Sequence, residues 1–285
     1  MSLPAFQINR DYAGRQSIGS REEQQDSYAF SLVEGTPDAA RKILLVVADG
    51  MGGYLGGREA SQAAVQAFVD SFFDSRKAES DASLPPVLTS LRKALDAANE
   101  AVGQLADSNP QKFASSGTTL VAILVDAESL HWISVGDSPL FLFRNDSLRR
   151  LNADHSMRAI LAAKVAAGQM LEKDLKTHPQ RNVLLSALVG GDIAKIDAPT
   201  EPTPLLPGDI LLTASDGIFT IPDSEISSIL TRSANRPASE ISSPLVEQVE
   251  AKQLPKQDNT TATIIKISQH SHSESQRPKQ EEKVA

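Results

Sequence analysis

Residues 43–59 read ILLVVADGMGGYLGGRE. Six apolar residues, Ile43 to Ala48, stop at Asp49, and five of the next eight residues are glycine. A short apolar run bounded by an acid and glycines reads as a buried strand followed by a tight turn. A dinucleotide fingerprint needs G-x-G-x-x-G, but counting from Gly50 its last position is Leu55. A P-loop needs Lys and Ser/Thr after its second glycine, and after Gly57 stand Arg58 and Glu59. Two readings remain. Glycines let the backbone turn so that a carbonyl oxygen and the Asp49 carboxylate face one point, which suits a hard divalent cation. Alternatively, the stretch is a plain strand-to-helix turn with Asp49 as its cap.

Four more aspartates have similar settings. Asp137 follows the apolar run WISVG, Asp216 follows ILLTAS and precedes Gly217, and Asp258 precedes the strand-like NTTATII. Asp26 closes the polar run REEQQD. Strand ends bring sequence-distant residues together, so this pattern predicts a carboxylate cluster. Such groups, buried together, repel one another and hold their protons more tightly, and divalent cations relieve that cost. With no cysteine and five histidines in the chain, Mg²⁺ or Mn²⁺ suits the site better than Zn²⁺.

The chain has 285 residues, 40% of them hydrophobic, enough for one large domain or two small ones. Its net charge of −8 and lack of a basic stripe argue against a nucleic-acid partner. No apolar run is long enough to span a membrane, and the opening segment MSLPAFQINRDYAGR does not read as a signal peptide, so the expectation is a soluble, cytoplasmic monomer. The absence of cysteine excludes disulfides, thiolate nucleophiles and zinc-thiolate sites.

Apolar runs at Ile43–Ala48, Thr118–Val125, His131–Val135, Pro139–Phe143, Ile210–Ala214 and Thr261–Ile267 read as strands, with a hairpin across 126–130. Val65, Phe68, Val69, Phe72 and Phe73 form one helical stripe, and Leu88, Leu91, Leu95, Ala98, Val102 and Leu105 a second, both read as core packing. Because strands and helices do not alternate, the pattern predicts a layered α+β fold rather than a doubly wound sheet. Residues 152–192 read as a mixed, mobile insertion near the site, and the polar segment 268–285 as a disordered tail.

The segments SREEQQDS, VVADGMGG, SSGTTLVAIL, ISVGDSPLFLFR, LNADHSM, HPQRNVLLSAL, LLTASDGI and DNTTATIIKI occur in this order. Together they resemble the bacterial metal-dependent serine/threonine phosphatases of the protein phosphatase 2C type, over roughly residues 7–267. The resemblance implies an α-β-β-α sandwich, two antiparallel sheets flanked by antiparallel helix pairs, in a single catalytic domain spanning 1–267. It implies two Mn²⁺ or Mg²⁺ ions held by Asp49, the Gly50 carbonyl, Asp216 and Asp258. Asp26 resembles the acid that holds metal-bound waters, Asp137 the ligand of a third ion found in bacterial members, and Arg21 the grip on the substrate phosphate. Segment 155–192 resembles the flap. The implied activity is hydrolysis of phosphoserine and phosphothreonine in proteins, opposing a serine/threonine kinase. Two other readings stand beside it: a catalytically dead binding module of the same fold, and a hydrolase of small phosphate esters. Two positions depart from the pattern. Gln24 stands where Asn is usual, lengthening the amide arm by one methylene. Met51 stands where eukaryotic members carry His, so no imidazole acid adjoins the metals.

Overall fold

The strands alternate in the destination of their side chains, and this alternation defines the layers. The computed structural model describes residues 6–33, 41–52, 56–75, 86–126 and 128–267. The tail 268–285 and Gly53 lie outside the described residues. In chain order the strands are β1 (Tyr12–Ser17), β2 (Asp26–Val33), β3 (Lys42–Met51), β4 (Gly117–Thr118), β5 (Leu120–Val125), β6 (Ser129–Val135), β7 (Leu140–Arg144), β8 (Ser147–Arg150), β9 (Thr203–Pro204), β10 (Ile210–Ala214) and β11 (Thr260–Lys266). The helices are α1 (Gly57–Ser75), α2 (Pro86–Ser108), α3 (Pro110–Phe113), α4 (Met157–Ala166), α5 (Glu172–Thr177), α6 (Asp223–Ser233) and α7 (Ala238–Glu250), with a 3-10 turn over Asp216–Thr220.

One antiparallel sheet has the order β1-β11-β10-β7-β8, the other β2-β3-β5-β6-β9 with β4 paired to β3. Along β3, Leu44, Val46 and Ala48 pack with Phe68 and Phe72 of α1 and Leu91, Leu95 and Val102 of α2. The intervening Ile43, Leu45 and Val47 pack between the sheets, against Leu211 of β10 and Ile265 of β11. The other sheet behaves alike: Ile210, Leu212 and Ile264 face Ile229 of α6 and Ile241 and Leu245 of α7. Both faces of each sheet are thus covered, which explains why the central strands are apolar throughout although the sheets are antiparallel. Each fully buried aliphatic or aromatic side chain contributes about 1.5–3 kcal/mol of transfer free energy, so the strand ends are held by three successive core layers.

The expected hairpin is present, with β5 and β6 antiparallel across 126–128. Both predicted stripes are helical, in α1 and α2. The segment read as a mixed insertion contains α4 and α5. No side chain of α5 is buried, whereas Leu188 returns to the core and pairs with Thr118.

Antiparallel pairing also decides where the chemistry lies. The start of β2 is opposite the end of β3, with Asp26 directly across from Asp49. β6 is antiparallel to β5, which is antiparallel to β3, so its end falls on the same edge. In the second sheet the end of β10 is opposite the start of β11, with Ala214 across from Ala262.

Candidate metal and phosphate site

The loop entering β2 is held by two amides. Gln24 accepts from the Asp26 N–H through Oε1 (3.0 Å) and donates through Nε2 to the Ser17 carbonyl (3.1 Å). The longer arm of Gln24 therefore still closes a local clamp. Asn259, next to Asp258, accepts from the Gln25 N–H (2.8 Å) and donates to the carbonyls of Ile18 (2.8 Å) and Glu23 (3.0 Å). The loop carrying Arg21 is thus tied to the start of β11. Arg21 Nη2 reaches Asp258 Oδ2 at 2.7 Å, and both side chains are about half exposed, 51% and 44%.

Asp49 is fixed from its backbone. Its N–H donates to Thr119 Oγ1 (3.1 Å), and its carbonyl accepts from Thr118 Oγ1 and the Thr119 N–H, both at 2.9 Å. Gly50 is required by close approach: a Cβ there would lie 2.0 Å from the Gly57 carbonyl oxygen and 2.6 Å from that of Gln25. Gly217, after Asp216, is similar, since a Cβ would lie 2.0 Å from the Asn259 carbonyl oxygen. Glycine at these two positions lets backbone segments meet at the sandwich edge.

Asp26 is 4% exposed. Its Oδ2 accepts from Ser215 Oγ and Thr261 Oγ1, both at 2.7 Å, while Oδ1 is buried with no hydrogen-bond partner among the described residues. The Asp216 N–H approaches Asp49 Oδ2 at 3.4 Å, joining the two sheets at this edge. Asp137 is 3% exposed in the turn between β6 and β7, and its Oδ2 accepts from Arg158 Nη2 at 3.0 Å.

The electrostatics are those of crowded acids. Burial, and then the charges of Asp26, Asp216, Asp137 and Asp258, push the Asp49 pKa well above the ordinary carboxylate range. Burial and then Asp137 and Asp258 push Asp216 up to about 7. Asp26 rises to about 6 through burial, opposed by its bonds from Thr261 and Ser215. Burial also raises Asp137, against the lowering influence of Arg158.

Asp26, Asp49 and Asp216 therefore come together, with Asp137 and Asp258 within electrostatic reach. Asp137 is engaged by Arg158 and Asp258 by Arg21. Among the described residues no three His, Asp or Glu side chains are gathered tightly enough to enclose one ion. The donor set nevertheless fits hard divalent cations. It is all oxygen, its members raise one another's proton affinity, and a buried carboxylate oxygen of Asp26 lacks any donor.

A family model described as Protein phosphatase 2C matches residues 13–257. The chain belongs to the protein phosphatase 2C family. Among relatives of this phosphatase 2C chain, a serine/threonine phosphatase stp of Listeria welshimeri is 31% identical over 66% of this chain and 71% of that protein. The structure of the Mycobacterium tuberculosis serine/threonine phosphatase PstP/Ppp superposes with a TM-score of 0.70 at 27% identity, over 90% of this chain and 98% of that one. A PstP catalytic domain in complex with two manganese ions gives 0.64 at 25% identity, over 89% and 96%. The two-sheet sandwich with flanking helices is that of these phosphatases.

Several residues of the site escaped the sequence reading. Ser215 and Thr261 hold Asp26, Asn259 holds the Arg21 loop, and Arg150 and Arg158 surround Asp137. Ser215, Thr261 and Asn259 each lie within three residues of a predicted aspartate, which was the available signal. Arg158 had none, because it reaches Asp137 from α4, 21 residues along the chain.

Proposed function

We propose that this chain is a metal-dependent protein serine/threonine phosphatase. The observation carrying the proposal is the edge of the sandwich where Asp26, Asp49 and Asp216 converge with Asp137 and Asp258 nearby and Arg21 at the rim. Asp49, the Gly50 carbonyl, Asp216 and Asp258 are the residues that would hold two Mn²⁺ or Mg²⁺ ions, and Asp137, paired with Arg158, lies beside them. When bound, such ions lower the pKa of a water to near neutrality and neutralise phosphoryl oxygens.

The chain's own groups position and balance the reaction. Ser215 and Thr261 fix Asp26 Oδ2, leaving Oδ1 as a free acceptor toward a water. In the metal-free chain the Asp26 carboxyl is pushed up to about 6, chiefly by burial, so it can accept such a hydrogen bond as the carboxylate above that pH. Arg21 keeps donors beyond the one on Asp258, and its planar fork suits two oxygens of one phosphate. Met51 carries no proton to give, so the departing serine or threonine oxygen is protonated from solvent. The five aspartates and Arg21 are all retained, which favours an active enzyme over a binding module.

The substrates proposed are phosphoserine and phosphothreonine proteins, a serine/threonine kinase among them. The aromatic content of 5% provides little stacking surface for a nucleotide base. No helix among the described residues is long and apolar enough to cross a membrane, and the proposed location is the cytoplasm. The test is phosphate release from a phosphothreonine peptide. Activity should disappear on chelation, return with Mn²⁺ or Mg²⁺, and exceed that on phosphotyrosine peptides and nucleotides. Undiminished turnover by metal-free protein, or a preference for nucleotides, refutes the proposal.

A further inference from the structure

Among the described residues, Asp137 is the acid of the cluster whose charge is met by a mostly buried cation of the protein itself. Arg158, the second residue of α4, donates through Nη2 to Asp137 Oδ2 at 3.0 Å, and its side chain is only 21% exposed. Two further anchors hold the guanidinium. Nε donates to Asp154 Oδ2 at 3.4 Å, and Cζ lies 4.3 Å from the centre of the Phe219 ring. Phe219 belongs to the 3-10 turn that begins at Asp216, so the arginine is fastened to the same turn that carries an expected ligand.

Those anchors are themselves fixed. Asp154 Oδ1 accepts from the N–H and Oγ of Ser156, and Oδ2 also accepts from Arg150 Nη1 at 3.1 Å. Arg150 in turn donates through Nη2 to the Asp137 carbonyl at 2.8 Å and lies 5.8 Å from the Phe219 ring centre. A planar guanidinium held by two carboxylates and an aromatic face has lost its rotamer freedom in advance. Moving it away breaks all three contacts at once.

We infer that Arg158 is the built-in counter-cation of Asp137, so that the chain takes two divalent ions at this edge and no third at Asp137. An ion arriving at Asp137 would have to displace a hydrogen-bonded, mostly buried guanidinium and then remain beside it, with like charges in close approach. The inference rests on the phosphatase reading and specifies how many ions that site accepts. It also gives the flap segment a role at the centre, because α4 carries the arginine.

The test counts bound manganese, independently of turnover. Equilibrium dialysis against saturating Mn²⁺, with the metal measured by atomic absorption, should give two ions per chain for wild type. Asp137→Asn should also give two. Arg158→Gln, which removes the charge but keeps an amide, should give three, and Arg158→Gln with Asp137→Asn should return to two. Three ions in wild type, with one lost in Asp137→Asn, overturns the inference. So does a count of two in a folded Arg158→Gln chain. If Arg158→Gln does not fold, the comparison of wild type with Asp137→Asn still decides. Failure of the phosphatase reading looks different: no variant retains manganese, and this inference falls with it.

Discussion

Replacing Asp26 by Asn should make the metal-free protein more stable at pH 8 and not at pH 4. The Asp26 pKa in the folded protein is raised from the ordinary 3.8 to about 6, chiefly by burial. A raised carboxylate pKa means the folded state holds the proton more tightly than the unfolded chain. The associated stability is full below 3.8 and is lost as pH rises through 6. At 1.36 kcal/mol per pH unit, that loss amounts to about 3 kcal/mol by pH 8. Asparagine carries no charge at either pH. Its oxygen can keep the bonds from Ser215 and Thr261, and its amide nitrogen can donate where Asp26 Oδ1 has no partner, toward Asp49 across the strand pair. For a domain of this size, 1 kcal/mol shifts Tm by about 2–4 °C, so the variant should melt about 6–12 °C higher at pH 8. Calorimetry in EDTA at the two pH values measures it. Added Mn²⁺ should narrow or reverse the difference, because the ions relieve the repulsion in wild type. A variant equal to or less stable than wild type at pH 8 in EDTA refutes the reasoning.

Two further substitutions separate roles. Arg21→Ala should keep the wild-type manganese count, since an exposed ion pair with Asp258 is worth about 1 kcal/mol or less. It should lower kcat/KM on phosphopeptides by roughly 10–100-fold, the loss of charge-assisted phosphate bonds at about 1.5–3 kcal/mol. Gly50→Ala should cost about 1–3 kcal/mol or more in urea denaturation, because the atoms nearest to the new methyl all belong to the backbone carbonyls of Gly57 and Gln25. Gly191→Ala, whose Cβ meets nothing within 4 Å, is the near-neutral control.

The central strands were legible because both faces of each are buried, leaving unbroken apolar runs such as Leu120–Val125. The edge strands were not. β1 reads YAGRQS and β2 is half-exposed along most of its length, so neither shows a clear period. Gly14 in β1 makes room for the Tyr28 ring, whose nearest atoms would lie 2.6 Å from a Cβ, and that need is invisible in the sequence. Helices α6 and α7 were hidden by serines and by Pro244, which disfavour helix interiors. Yet Ile241, Leu245, Val246 and Val249 carry a usable helical spacing. At the site, the strand-end aspartates were readable because each terminates or precedes an apolar run. The residues that hold them act across 21 to 235 residues of chain, which no local pattern records.

The two arginines at the site show how placement decides chemistry for a single residue type. Arg21 is half exposed and pairs with the similarly exposed Asp258, so little free energy opposes its turning to a phosphate. Arg158 is mostly buried and meets Asp137, Asp154 and the Phe219 ring together, so its charge is committed to the fold. Exchanging the roles would fail on both counts. A guanidinium locked among two acids and a ring cannot follow a substrate, and a mobile one at the rim cannot hold Asp137 in a dry turn. The strand ends, pinned by Thr118, Thr119 and the close fit at Gly50, prevent the acids from separating. What differs is the source of the neutralising charge: the ions proposed beside Asp49 and Asp216, the arginine proposed to meet substrate at the rim, and the resident arginine at Asp137.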